Sequence, residues 1–373
     1  MQLNNENLNY LLERLAPKCT DMLERCMWKG SLSRCDSLFQ QINSSDGTCC
    51  SFNNYAYAKG NYDPKIISSI PKQPRRVTAC GYQTGLSLLL KTDIEDYHAT
   101  EVASTGFRLM IHNSYDFADA NSVVKLVPSK TEAYLSIAPG IKNIELLVQK
   151  IIYYIISFSI ESTYSTSDVF NLAIDVRNCL IYSERTMDTM LRYSYVNCMA
   201  ECRSAIAFNL CNCVPFTLPN NGSLPKCKVS QVKCIRERMS SFAGSVFDIS
   251  NDTIPSSQAL RNKCNCLPDC TFYSYPAELS TGTLVRTFSF NSLSFFKDVN
   301  LTDQTLIHVF FNDLIATHYR KDMYQNWLGI LAAFGGLLGL FLGFSLVTGF
   351  ELIYFFTIRT FFDRLAAKTV VEK

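Results

Sequence analysis

The sequence predicts an α+β, disulfide-rich extracellular domain built on an antiparallel sheet and followed by one C-terminal transmembrane helix. Three observations predict it. All 16 cysteines lie at or before Cys270, and the N-x-Ser/Thr sequons at Asn43, Asn221, Asn251 and Asn300 also precede the apolar C-terminal stretch. Oxidised pairs and glycan acceptors both belong to the secretory side of a membrane. Short apolar alternations punctuated by Gly, Asn and Asp fill residues 81–139, the pattern of antiparallel strands. Finally, Leu328 to Ile358 is a nearly charge-free stretch of 31 residues, long enough to require a bilayer.

Taken in order, the first 60 residues hold Cys19, Cys26, Cys35, Cys49 and Cys50, with Leu11, Leu12, Leu15, Met22 and Leu23 at roughly helical spacing broken by Pro17. A Pro-rich connector, Pro64 to Arg76, leads into the strand region, where Phe107 to His112 is a representative run. Ile151 to Ile160 is ten apolar residues long, too short to cross a membrane, and reads as a buried strand or core helix. The cysteine-dense block from Cys179 to Cys270 opens with a helix-compatible stretch, Ser183 to Ala207, and closes in Cys264-Asn-Cys266-Leu-Pro-Asp-Cys270. Thr283 to Phe290 and Thr305 to Phe311 read as strands. There are no internal repeats and no low-complexity segments.

As a straight helix the C-terminal stretch would rise about 46 Å against a hydrocarbon core of roughly 30 Å, so it must tilt, protrude or break. Gly335, Gly339 and Gly343 recur every four residues, which taken alone is the pattern by which membrane helices pack. Glu351 is different: a carboxylate inside the bilayer costs several kcal/mol unless it faces water or a partner, which makes it a functional candidate. Arg320 and Lys321 on one flank against Arg359, Arg364 and Lys368 on the other give a weak charge asymmetry, so cysteines and sequons set the orientation, with the C-terminus cytoplasmic. The chain opens Met-Gln-Leu-Asn-Asn-Glu-Asn, without a signal-peptide pattern or a first apolar span, and from this we expect an N-terminal truncation.

Several classes are excluded on the same grounds. A net charge of +2 without a basic run argues against a nucleic-acid partner. The Cys-x-Cys and Cys-x3-Cys spacings do not form the matched pairs of a zinc site, and His98, His112, His308 and His318 lie outside the cysteine block, so disulfides are expected and no metal. No Gly-x-Ser-x-Gly elbow, His-Glu-x-x-His helix or phosphate-cradling loop appears, so neither enzyme activity nor a cofactor is expected. Asp93, Glu95, Asp96 and Glu101 beside His98 read as a solvated loop face.

The residues resemble the degenerin and epithelial sodium channel superfamily, in particular its insect pickpocket-like branch. Cys26-Met-Trp-Lys-Gly30 with Cys35, and Gly47-Thr-Cys49-Cys50-Ser-Phe-Asn53, are similar to the extracellular finger. Gly81-Tyr-Gln-Thr-Gly85, Gly106 to His112 and Ile137-Ala-Pro139-Gly140 resemble the palm and β-ball strands, and Tyr195 to Cys202 with Cys211-Asn-Cys213 resembles the thumb. Gly335 to Ser345 and Glu351 to Phe355 resemble the second transmembrane segment and its pore.

This resemblance implies a finger-like segment over 1–60, palm and β-ball strands over 61–178, a cysteine-rich thumb over 179–275, palm strands and wrist over 276–323, the pore helix over 324–358 and a cytoplasmic tail over 359–373. It implies a thumb ladder of Cys179 with Cys270, Cys198 with Cys266, Cys202 with Cys264, Cys211 with Cys234 and Cys213 with Cys227, and a pair of Cys26 with Cys35. Cys19, Cys49, Cys50 and Cys80 stay unassigned. Gly343, Phe344 and Ser345 correspond to the Gly-x-Ser selectivity tract, and Glu351 to a pore-side acid. Ala332 stands at the gate position and Ala333 where acid-sensing members carry an aspartate, with Gly335, Gly336 and Gly339 completing the outer pore. The implied activity is a ligand- or mechanically gated sodium or cation channel in the plasma membrane, a trimer of homologous subunits permeable to Na+ and blocked by amiloride-type compounds. The alternatives are a truncated non-conducting or regulatory fragment of such a channel, and a single-pass receptor or adhesion ectodomain.

Overall fold

Strand β5 (Leu86–Lys91) is buried along nearly its whole length. A strand with apolar side chains on both faces needs a cover on each. In the computed structural model both covers are present: Leu86, Leu88 and Leu90 pack with Leu23, Cys26, Val127, Ala133 and Ile307, while Leu89 packs on the opposite face with Leu284, Phe295, Leu301 and Leu306. The structure describes residues 12, 14–57, 73–95, 103–119, 122–138, 140–141, 160–243, 264–285, 294–297, 299, 301–313, 316–322, 327–343 and 345–362. The chain divides into two compact units, residues 1–321 and 322–373.

In the first unit β5 sits inside a six-stranded sheet with β1 (Leu23–Trp28), β2 (Ser31–Ser33), β8 (Thr131–Ile137), β12 (Ala277–Thr283) and β13 (Gln304–Phe311), in the order β12-β8-β13-β5-β1-β2. The hairpin β1–β2 turns through Lys29 and Gly30, both at positive φ (54° and 75°), the backbone that a two-residue hairpin turn requires. Two further hairpins are not hydrogen-bonded to this sheet but pack against its core: β3 (Phe39–Ser44) with β4 (Gly47–Phe52), and β6 (Gly106–Ile111) with β7 (Val123–Pro128). A smaller sheet joins β9 (Gly140–Ile141), β10 (Ile160–Ser165), β11 (Phe272–Ser274) and β14 (Ala316–Lys321).

The structure corrects three expectations. The main sheet is mixed, because β13 runs parallel to β8; parallel neighbours need a long crossover, and the whole cysteine block lies between these two strands in sequence. The helix expected over Ser183 to Ala207 is α1 (Tyr195–Cys211), which starts at Ser194 because its side chain accepts the Asn197 N–H and caps the first turn. The strand expected from Thr283 instead ends there, as β12, and residues 286–290 lie outside those described. Of the apolar run 151–160, only Ile160, the first residue of β10, is described.

Near the N-terminus the broken periodicity has a local cause. After Pro17 a single helical turn forms at Cys19–Met22, and Leu23 then enters β1. The segment expected as finger-like thus contributes two strands to the main sheet, along with the β3–β4 hairpin.

Seven disulfides are present: Cys19–Cys50, Cys26–Cys35, Cys179–Cys270, Cys198–Cys266, Cys202–Cys264, Cys211–Cys234 and Cys213–Cys227. Cys198 and Cys202 lie four apart on α1, hence on one helix face, and meet two cysteines of a single returning arm. The buried core around them includes Leu180, Tyr193, Met199, Ile206 and Ala207. A second helix, α2 (Val232–Ala243), packs beside α1 through Cys234 and Ile235. Among the described residues Cys49 and Cys80 are free thiols.

Candidate functional site

The second unit contains the apolar stretch, and there it is not one helix. Helix α3 (Trp327–Leu342) stops at Gly343, and α4 (Leu346–Ile353) begins after Ser345. Its 16 residues give α3 a rise of about 24 Å, and among the described residues no helix is long and apolar enough to cross a membrane. Gly343 has φ +59°, the left-handed conformation that ends helices and that side chains resist. A Cβ there would meet nothing within 4 Å, so backbone conformation rather than crowding is what favours glycine. Ser345 is extended; its Oγ accepts the Thr348 N–H at 3.2 Å and lies 3.1 Å from the Thr348 hydroxyl. Phe344 lies outside the described residues.

This break has chemical consequences. The last four carbonyls of a helix have no partner within it, so the end of α3 presents oxygen acceptors, and Ser345 and Thr348 add hydroxyls beside them. Ala332, Gly335 and Gly339 recur at intervals of three to four, with Gly336 beside them, giving α3 one stripe of small residues that leads to Gly343. Bulky neighbours such as Phe334, Leu340 and Phe341 are largely exposed. Ala333 and Glu351 are exposed too, the latter in the last turn of α4, which continues into a π-helical turn at Tyr354–Arg359.

In the first unit the groups that hold α1 form a dense network. The Asn197 side chain, fully buried, accepts the Phe117 N–H at 2.8 Å and donates to the carbonyls of Tyr115 and Arg192. Six residues further on, Arg203 Nη1 lies 2.8 and 2.9 Å from the Asp119 carboxylate oxygens, both residues being buried. At the helix start Asp269 accepts the Tyr195 N–H at 3.1 Å; burial outweighs that bond and pushes its carboxyl up to about 7. Local sequence patterns gave no sign of these partners, which come from segments about 80 residues apart.

A second missed cluster spans β5, β13 and β8. Ser87 Oγ lies 2.8 Å from His308 Nδ1, and His308 Nε2 lies 3.3 Å from Glu132 Oε1, which also accepts the Tyr134 hydroxyl. The Tyr134 ring stacks on the imidazole at 4.7 Å. The connectivity imitates a hydrolytic relay, but Ser87 is 1% exposed in mid-strand and no substrate reaches it. The burial of His308 pushes its pKa down, with Glu132 opposing.

The remaining predicted positions are scattered. Asn43 is half-buried in β3, and Asn221 is exposed in a turn where its Oδ1 accepts the Ser223 N–H; Asn251 and Asn300 lie outside the described residues. Asp93 and Glu95 are exposed, whereas Asp96, His98 and Glu101 are not described. Burial pushes the Cys49 thiol up, beside the Ser44 hydroxyl at 3.2 Å.

The family described as amiloride-sensitive sodium channel matches residues 1–355. Among curated proteins the chain is similar to pickpocket protein 11 of Drosophila melanogaster, 27% identical over 96% of this chain and 58% of the relative. It is similar to sodium channel protein Nach of Drosophila virilis, 24% identical over 95% of this chain and 80% of that protein. It also resembles acid-sensing ion channel 4-B of Danio rerio, 23% identical over 95% of this chain and 54% of the relative. The chain spans less than two thirds of the length of most of these relatives.

Proposed function

We propose that this chain, which belongs to the amiloride-sensitive sodium channel family, is a subunit of a sodium-conducting membrane channel, its apolar C-terminal segment lining the pore. The observation that carries this reading is the interruption between Leu342 and Leu346. A segment that served only as an anchor would keep its backbone bonds closed, because exposed carbonyls in hydrocarbon are costly. Opening the helix at Gly343 and Ser345 is tolerable where the freed oxygens face water, and carbonyls in that position replace part of the hydration shell of a passing Na+.

On this reading three homologous subunits place Gly343, Phe344 and Ser345 around one axis, forming the selectivity tract and the surface that amiloride-type blockers occlude. The small stripe of Ala332, Gly335, Gly336 and Gly339 lets the helices approach closely enough to shut, and Ala333 supplies no charge to the outer pore. Glu351 faces the aqueous path and attracts cations. The thumb and palm of an extracellular first unit transmit a ligand or mechanical stimulus to the gate, with the C-terminus in the cytoplasm.

The test is electrical. Cells expressing the protein, alone and together with related subunits, are expected to show an amiloride-sensitive sodium current, and Ser345→Leu is expected to abolish it while surface delivery is unchanged. Normal delivery without current in every form would reject conduction and leave a regulatory subunit.

A further inference from the structure

Residues 226–238 concentrate a charge that the pore reading does not use. Lys226, Lys228, Lys233, Arg236 and Arg238 stand against Glu237 alone, a net +4 within 13 residues, where the whole chain has a net charge of +2. All five cations are exposed. Glu237 neutralises little, since its i,i+4 pair with Lys233 is 3.9 Å long and both side chains are solvated. The other four cations form no ion pair among the described residues.

The array is rigid. Cys227 is bonded to Cys213 and fully buried, so Lys226 and Lys228, flanking it in an extended stretch, point away from the core. Cys234 is bonded to Cys211, and with Ile235 it turns one side of α2 inward, which leaves Lys233 and Arg236 outside. Between the two staples Lys228 N–H donates to Gln231 Oε1 at 2.9 Å and Gln231 Nε2 donates to the Cys211 carbonyl. Like charges held this close repel, and a fixed cation array binds a polyanion without first having to be ordered.

We propose that this stapled segment binds a sulfated glycosaminoglycan. The partner class follows from compartment and chemistry. Seven disulfides belong to an oxidising exterior, where nucleic acids and the anionic cytoplasmic leaflet are absent. Exposed lysine and arginine ends crowd point charges into one 13-residue segment, which suits a repeating sulfate chain better than a peptide needing side-chain pockets. The inference rests on the exterior placement of the first unit and not on conduction, so its test is read without any current.

The experiment uses the full chain in detergent and heparin as probe, at about 0.15 M salt. Wild type is expected to bind with affinity falling steeply as salt rises, because neutralised sulfates release counterions. The variant Lys226→Gln/Lys228→Gln/Arg236→Gln/Arg238→Gln is expected to lose about tenfold or more. Removing equal charge elsewhere, by Lys18→Gln/Lys29→Gln/Lys91→Gln/Lys297→Gln, is expected to change binding less than about threefold. Lys226→Arg/Lys228→Arg/Lys233→Arg keeps the charge and is expected to keep the affinity, which separates charge loss from misfolding. Absence of wild-type binding, equal loss in the two Gln variants, loss in the Arg variant, or equally tight binding of polyglutamate would each overturn the proposal.

Discussion

The cysteine-rich block around α1 and the apolar pair α3–α4 are both helical, yet they are held in opposite ways. In the block, four disulfides reach α1 or the residues just beyond it (Cys198, Cys202, Cys211 and Cys213), and its polar side chains Asn197 and Arg203 are buried with partners. In α3 and α4 the bulky side chains are exposed and the described hydrogen bonds are local. The block therefore stores its stability internally, in bonds formed once, and the apolar pair stores its own in whatever surrounds it.

The largest expected effect tests the internal store. Asp119→Ala leaves the Arg203 guanidinium buried without its carboxylate and is expected to cost about 3–5 kcal/mol in chemical denaturation of the first unit. Next, Cys198→Ser with Cys266→Ser is expected to cost about 2–4 kcal/mol, because the unfolded chain regains the closed loop; a loss below about 1 would mean that the neighbouring Cys202–Cys264 bridge already supplies the constraint. In the other region Gly343→Ala forces a side chain into the left-handed region and is expected to destabilise the break by about 1–2 kcal/mol. Ser345→Ala removes the cap of α4, about 1 kcal/mol, read as roughly five- to tenfold faster amide exchange at Thr348.

The smallest effect expected in net terms is on pH, because two groups of the first unit oppose each other. Asp269 binds its proton more tightly folded than unfolded, so stability rises as pH falls from about 7 toward the ordinary carboxylate range. His308 binds its proton less tightly folded, so stability falls as pH drops below about 6.5. Asp269→Asn is expected to unmask the loss and His308→Gln the gain, in melting curves between pH 4 and 8. Two flat profiles that coincide with wild type would remove both groups from the account.

How far these regions were legible from sequence follows from the range of the interactions. The length of the apolar run, the glycine spacing and the density of cysteines are local or compositional, and they pointed to a disulfide-rich fold and a segment that cannot be one straight span. The start of α1 was misplaced because Ser194, not helix propensity over 183–194, decides it. The Cys19–Cys50 bridge, the Arg203–Asp119 pair and the His308 cluster depend on register between distant strands and loops, which no window of sequence contains.

The parallel pairing of β8 with β13 has a further consequence. Leu306 and Ile307 sit beside Glu132 and Ala133, so the sheet cannot close until the ribosome has released its final interior strand. Everything from the first strand to the last cysteine has by then emerged, with long-range contacts still missing; such topologies assemble slowly. Order of emergence thus makes correct thiol pairing a race against sheet closure, and slowed elongation after Cys270 is expected to raise the yield of native pairing.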